Sequence, residues 1–348
     1  MRPTTAHNTR RSPTTNRRAA PLATLPPLRF EPIFQNYLWG GRRLGSLLST
    51  PLGQDGVYAE SWEVVDHPDG QSRVTNGPLA GQTLAEIVAQ SPTEFYGEGV
   101  ASPPRFPLLL KYLDAQKTLS VQVHPNDAQG AKLDPPDLGK TEAWLVIAAE
   151  PGSKIYAGLR DGVGRDELAA TLEAGECDRC LHDFEPRGGD CVFIPAGTVH
   201  ALGDGLVIAE IQQASNTTFR LFDWNRVDKD GKPRPLHIEQ SLATIDYQRG
   251  PVAPQTPGPL SGGGERLVEC DKFVFDRWTL SPNAAATPEP CKGFRILTVI
   301  DGAAAVACVD AEPERLSLGE TLLAPACCSD ATITAGEAGA TVLDMRLP

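Results

Sequence analysis

Three separated segments of this chain carry side chains that could together hold a divalent metal ion. The first reads Ser120-Val121-Gln122-Val123-His124. In an extended strand alternate side chains share a face, so Ser120, Gln122 and His124 point one way and Val121 and Val123 the other. A polar row on an otherwise apolar strand implies an interior that is not simply packed. The second segment, Lys140-Thr141-Glu142-Ala143-Trp144, introduces one acid just before an apolar strand. The third spans residues 189–200. There Gly189 and the Pro195/Gly197 pair set turns at both ends of a strand, and His200 opens the next strand facing inward. The imidazoles of His124 and His200, the Glu142 carboxylate and the Gln122 amide oxygen make a catalytic zinc site with one position left for substrate or water. Any one of these residues alone is more often a hydrogen-bonded core or rim group. Their coincidence with the turn pattern of residues 189–200 is what points to a metal.

These residues must be carried by strands. The 348 residues include 33 Gly and 31 Pro, which favours many turns between short strands over long helices. Strands are expected over 108–113, 119–124, 143–148, 191–194, 206–212 and 217–222, and again over 294–300, 303–309 and 321–323. A helix is expected to start at Thr83, with Glu86 three residues on completing a capping box. A second covers 166–173, with Leu168 and Leu172 on one face. Short strands broken by Gly/Pro turns predict a sandwich or barrel and not a parallel α/β sheet. Residues 1–26, rich in Arg, Pro and Thr and without an acid, read as a disordered extension. Residues 251–264 read as a linker between a site-bearing domain over 27–250 and a second domain over 265–348.

Bulk composition excludes some functions. A formal charge of −12 argues against nucleic acid, while leaving room for a small phosphorylated ligand in a locally positive pocket. No apolar run reaches the roughly 20 residues of a membrane helix. Eight cysteines without a secretory leader predict free thiols and a cytoplasmic location. Cys177 and Cys180 form a lone CxxC with His182 just beyond; no second pair follows to complete a zinc knot, so a surface turn is expected.

Residues 189–200 match Gly-x5-Pro-x-Gly-x2-His, the second signature of the cupin barrels, at each fixed position. From about Phe30 onward the chain resembles the type I mannose-6-phosphate isomerases in their short bacterial form. The resemblance rests on Ala59-Glu60-Ser61-Trp62-Glu63, on residues 122–127 (QVHPND), on Lys140-Thr141-Glu142-Ala143-Trp144, on Gly197-Thr198-Val199-His200 and on residues 210–220 (EIQQASNTTFR). It implies a mainly β fold: a cupin (jelly-roll) β-barrel catalytic domain, a second degenerate cupin-like barrel and a few short helices. It also implies one Zn2+ per chain on Gln122, His124, Glu142 and His200, with Gln122 replacing the first His of the usual His-x-His. The second barrel repeats the Gly-x5-Pro step at Gly319 and Pro325, but Cys327 and Asp330 stand where Gly and His would follow. That barrel is expected to hold no metal.

The implied reaction interconverts mannose 6-phosphate and fructose 6-phosphate through an enediol-type intermediate. By resemblance Arg220 is the catalytic cation. Glu210 is the base or the group that positions it, and Lys140 binds phosphate or assists proton transfer. A structural salt bridge is the alternative for Glu210 and Arg220. Ser120 and Lys111 are phosphate-site candidates, with a solvated surface lysine as the alternative for Lys111. Trp39, Trp62, Trp144 and Trp224 are expected to pack, and Asp66 and His67 to form a structural loop. A small phosphosugar is the only expected partner of a monomer or homodimer. Three other functions compete: a cupin glucose-6-phosphate isomerase, a sugar-binding cupin without catalysis, and an iron oxygenase. Retention of all four ligand types with Arg220 counts against the second, and Gln122 counts against the third.

Overall fold

The computed structural model describes residues 24–100, 102–227, 230–309 and 311–348. The chain is mainly β, in the jelly-roll arrangement expected, built as facing sheets with short helices at their margins. Strands β1 (Ile33–Gln35), β2 (Glu60–Val64), a small hairpin of β3 (Asp66–His67) and β4 (Gly70–Gln71), and β5 (Leu108–Ala115) come first. Then follow β6 (Val121–Val123), β7 (Glu142–Ala149), β8 (Ile155–Leu159), β9 (Leu181–Phe184), β10 (Cys191–Ile194), β11 (His200–Leu202), β12 (Leu206–Gln213) and β13 (Phe219–Phe222). They form a six-stranded sheet, β1-β2-β5-β12-β7-β10, opposite a five-stranded sheet, β13-β6-β11-β8-β9. All pairs in both are antiparallel.

Period-2 patterning assigns each strand two faces. Along β12, Val207, Ala209 and Ile211 pack outward into the largest apolar cluster. Leu206 and Ile208 pack inward, between the two sheets. The inward row continues as Glu210 and Gln212, both buried. An apolar strand that turns polar at one end thus fills one half of the interior with core and lines the other half with functional groups. On the opposite sheet Val121 and Val123 pack outward with Leu168 and Leu242. Helices α5 (Arg165–Glu173) and α6 (Ile238–Thr244) supply those leucines.

The capping box at Thr83 forms as expected and starts α2 (Leu84–Gln90). Cys177 and Cys180, expected on a surface turn, are fully buried in that outer apolar cluster. Burial pushes the Cys177 thiol up to about 12, so it stays protonated and unreactive.

The remaining strands, β14 (Gly258–Pro259), β15 (Gly264–Glu269), β16 (Val274–Leu280), β17 (Ala285–Ala286), β18 (Arg295–Cys308), β19 (Glu314–Ser317), β20 (Thr321–Ala324) and β21 (Ala331–Arg346), form one eight-stranded sheet. Its outer face (Ile296, Leu343, Met345) packs on the outer face of β5 and β12. The two strands expected over 294–300 and 303–309 are one 14-residue strand, β18. The strand stays continuous because Gly302 takes φ 68° and the pairing shifts register there.

Residues 1–23 of the expected extension lie outside the described residues. Leu25, placed in that extension by composition, is buried against the C-terminal sheet, and its carbonyl accepts from Cys328. In the stretch expected as a linker, the Val252 N–H donates to Ala157 and that of Gln255 to Cys191, so this segment is strapped to the first sandwich. No helix among the described residues is long and apolar enough to cross a membrane.

Candidate active site

Strand register brings the chemistry together. Across the five-stranded sheet Arg220, Gln122 and His200 are direct cross-strand partners in one row. Across the facing sheet the row is Trp62, Lys111, Glu210 and Trp144, with Gln212 opposite Glu142 one step further along. Cross-strand partners that are 49 to 99 residues apart in sequence therefore converge on one space. The turn before His200 depends on Gly197, whose φ is 86° and whose N–H donates to the His124 carbonyl at 2.9 Å. That bond ties the two histidine-bearing segments together.

His124, Glu142 and His200 are all buried, with their nearest ligand atoms within 4.8 Å of one another. Nε2 of His200 is 3.3 Å from Glu142 Oε1, and Nε2 of His124 is 3.6 Å from Oε2. Both rings are oriented by backbone: Nδ1 of His124 donates to Thr217 O at 3.0 Å, and Nδ1 of His200 to Thr198 O at 2.9 Å. A carbonyl only accepts, so each Nδ1 carries the proton and each Nε2 presents a lone pair to the centre. Burial, then the Lys140 ammonium, holds the His124 ring well below its ordinary range. Burial lowers His200 to about 4. Both rings are neutral at neutral pH. The Gln122 amide meets His200 Nε2 at 3.3 Å through its nitrogen, and a half-turn of the amide would present its oxygen instead.

Two observations show that these residues fit a cation. Oε2 of Glu142 is buried and accepts no hydrogen bond. The Lys140 ammonium stands 3.1 Å from that oxygen and 3.1 Å from His124 Nε2. An ammonium thus already stands where the donors converge. The mixed N/O set suits a borderline divalent ion.

Beside the centre opens a pocket of about 260 Å³, lined by Ser120, Gln122, Lys140, Glu210 and Arg220 among others. Lys111 is buried, 3.2 Å from Glu210 Oε1 and 3.6 Å from Glu60 Oε2. It is not a solvated surface lysine, and carboxylates on both sides occupy its charge. Burial favours its neutral form, but Glu210 and Glu60 outweigh that and raise its pKa. Burial, then the charge of Glu142, holds the Glu210 carboxyl above its ordinary range. Arg220 donates through Nε to Ser120 Oγ at 3.3 Å and through Nη1 to Pro235 O at 3.0 Å. It has no salt bridge to Glu210; the cross-strand ion pair that Glu210 does make is with Lys111 on β5.

Several lining residues had no assigned role in the sequence. Glu60 reaches the pocket from β2 and accepts from Trp62 Nε1 at 2.6 Å. Its signal was the same alternation that marked Gln122: Glu60 and Trp62 share a face. Trp39, expected only to pack, also lines the pocket, as do Asn216, Thr218 and Arg234. Arg234 arrives from a loop and pairs with Asp223, a contact that no local pattern encodes.

A family model described as "Phosphomannose isomerase type I, catalytic domain" matches residues 28–144. Mannose-6-phosphate isomerase ManA of Bacillus subtilis is 37% identical over 287 residues, covering 80% of this chain and 87% of that protein. Mannose-6-phosphate isomerase of Streptococcus mutans is 35% identical over 302 residues, covering 86% and 92%. The crystal structure of the mannose 6-phosphate isomerase from Bacillus subtilis superposes with a TM-score of 0.82 at 28% identity, covering 93% of this chain and 100% of that one.

Proposed function

The chain belongs to the type I mannose-6-phosphate isomerase family, and from that premise we propose that it is a zinc enzyme interconverting mannose 6-phosphate and fructose 6-phosphate through an enediol. The observation that carries the reading is the convergence of His124, Glu142 and His200 on one wall of a pocket that also holds Lys140, Glu210 and Arg220. Gln122, His124, Glu142 and His200 would hold the metal. When bound, zinc supplies a Lewis acid that polarises the carbonyl of the open-chain sugar.

The isomerisation takes a proton from C2 of the aldose and returns one to C1, while a hydroxyl proton passes from O2 to O1. Glu210 is the base that carries the carbon-bound proton. Its burial makes the carboxylate basic, and Lys111 fixes its orientation. Lys140, 4.0 Å from Glu210, lies between that base and the metal ligands and relays the oxygen-bound proton. Arg220 stays protonated and offers a planar fork to the negative charge that develops on the enediol oxygens. Ser120, bonded to Arg220, marks the side of the pocket where the phosphoryl group binds. Lys111 leaves the phosphate assignment, because Glu60 and Glu210 already neutralise it. Residues 27–250 carry the chemistry, and residues 265–348 form a metal-free unit that buttresses them.

A coupled assay with mannose 6-phosphate, before and after chelation and again with zinc restored, tests this. Chelator-sensitive formation of fructose 6-phosphate, rescued by zinc, is expected. Turnover that survives complete metal removal would overturn the cofactor assignment, and no turnover with zinc bound would overturn the substrate.

A further inference from the structure

The two metal-facing histidines are held differently. His200 bonds to the carbonyl of Thr198, two residues back in its own glycine-bearing turn. His124 follows a strand of only three paired residues and bonds to the carbonyl of Thr217, 93 positions away. Thr217 belongs to the connection between β12 and β13, which has no ladder of its own. The Ala214 N–H donates to Pro107 O, Gln212 Nε2 to Ser215 O and Asn216 Nδ2 to Asp69 Oδ2, and the hydroxyls of Ser215 and Thr217 converge on one further carboxylate.

Asp137 enters from the segment after α4 (Asp127–Gly130), with its side chain 11% exposed. Its Oδ2 accepts from Ser215 Oγ at 2.7 Å and from Thr217 Oγ1 at 2.8 Å. Its Oδ1 accepts from the Leu138 N–H at 2.9 Å and from the Arg105 guanidinium. Arg105 also donates to Ala214 O at 2.7 Å, so positions 214, 215 and 217 are all tied to one arginine–aspartate pair. His67 Nε2 stands 3.8 Å from Oδ1 on the other side. Burial works against the charge, yet these donors hold the carboxyl well below its ordinary range. Asp137 does not line the reaction pocket; it faces a separate cavity with His67, Arg105 and Asn216.

We propose that Asp137 is a positioning residue for the metal centre, setting the ring of His124 through the hydroxyl and carbonyl of Thr217. The inference rests on the proposed metal role of His124. The carboxylate pulls the Thr217 side chain to one side while its carbonyl receives the Nδ1 proton on the other. The ring is thereby held with Nε2 aimed at Glu142, and a ligand held in place loses less freedom when the metal arrives.

The test measures zinc affinity of the full chain by chelator competition, alongside melting of the metal-free protein. The variants are Asp137→Asn, Thr217→Val, their double, and Thr217→Ser. Each of the first two removes the same tie from opposite ends and should weaken zinc by about tenfold or more. The double should be no worse than the weaker single, and Thr217→Ser, which keeps the hydroxyl, should recover most of the affinity. Wild-type affinity in Asp137→Asn and Thr217→Val, or additive losses in the double, would overturn the inference. Lower melting temperatures with unchanged affinity would reduce Asp137 to a structural residue. If Asp137→Asn does not fold, the Thr217→Val and Thr217→Ser pair decides alone. A wild-type chain that binds no zinc overturns the metal reading and this inference together, whereas unchanged affinity in the variants overturns only this inference.

Discussion

Between the two N-terminal sheets, Glu60, Glu142 and Glu210 face Lys111 and Lys140, all of them buried. Inside the C-terminal sheet, Asp276 and Asp344 face Arg295 and Arg346. The first set has three carboxylates against two ammoniums, with the Arg220 guanidinium on the pocket wall beside them; in the second, Asp276 also pairs with Arg266, so two carboxylates meet three guanidiniums. The first also includes neutral imidazoles turned inward, whereas the space beside the second is filled by Trp278, Leu297, Val299 and Leu322. Both regions carry a Gly-x5-Pro turn, at Gly189 and at Gly319. After the first, His200 is fully buried; after the second, the equivalent position is Asp330, which faces solvent. One architecture thus serves two ends. In the C-terminal sheet arginines close on the buried carboxylates, whereas between the N-terminal sheets the carboxylates share two lysines beside two neutral imidazoles and a pocket of about 260 Å³.

The sharpest way to break this contrast is to exchange its outcomes. His200→Ala should abolish metal retention and lower turnover by at least about a thousandfold, the scale of several kcal/mol of lost charge stabilisation. Asp330→Ala, in the matching position of the other region, should change neither. Metal content and kcat read both, and full metal occupancy in His200→Ala would remove it from the ligand set.

Next in size, Arg295→Leu leaves Asp344 buried without its closest partner. Both side chains are 0% exposed, so denaturant unfolding should show a loss of about 3–5 kcal/mol, with the folded fraction still active. Replacing both members of the pair with leucine should recover much of it. If the single variant is as stable as the parent, the ion pair does not hold the buttress.

Arg220→Ala should leave the metal bound and reduce kcat by about a hundredfold or more, as for loss of one donor to a developing oxyanion. Near-normal kcat would take Arg220 out of the mechanism.

A last effect, on stability and not on turnover, lies at the seam between the regions. Glu63 is turned away from the site toward the C-terminal sheet, beside a cavity it shares with Arg29 and Glu320. Burial raises its carboxyl from 4.5 to about 7, against a hydrogen bond from Ser61. The folded chain therefore holds this proton more tightly than the unfolded chain does. Stability from Glu63 is complete below about pH 4.5 and declines as pH rises to about 7, by up to about 3 kcal/mol. Glu63→Gln should flatten that part of the stability profile, and parallel profiles would refute the assignment.

What could be read in the sequence was local. Alternation on 120–124 gave the face of Gln122 and His124, and the turn glycines and Pro195 marked the start of His200. The Thr83 capping box was legible because its partners are three residues apart. The hidden parts depend on distance along the chain. Lys111 read as a possible surface lysine because its neutralising acids, Glu60 on β2 and Glu210 on β12, are distant in sequence and adjacent to β5 in the sheet. Asp137 and Arg234 sit in loops without periodicity, so only the folded chain shows what they grip. Cys177 and Cys180 looked like a turn because the α5 and α6 leucines that cover them come from elsewhere. A single strand over 295–308 read as two because Gly302 bends it without ending it.

The central claim is that one region takes a metal and the other does not, and anomalous diffraction at the zinc edge from crystals of the zinc-loaded protein tests it most directly. A single peak per chain, bounded by Gln122, His124, Glu142 and His200, is the predicted result. A peak within the C-terminal sheet, or at Cys177 and Cys180, or none at all in a catalytically active crystal, would contradict it.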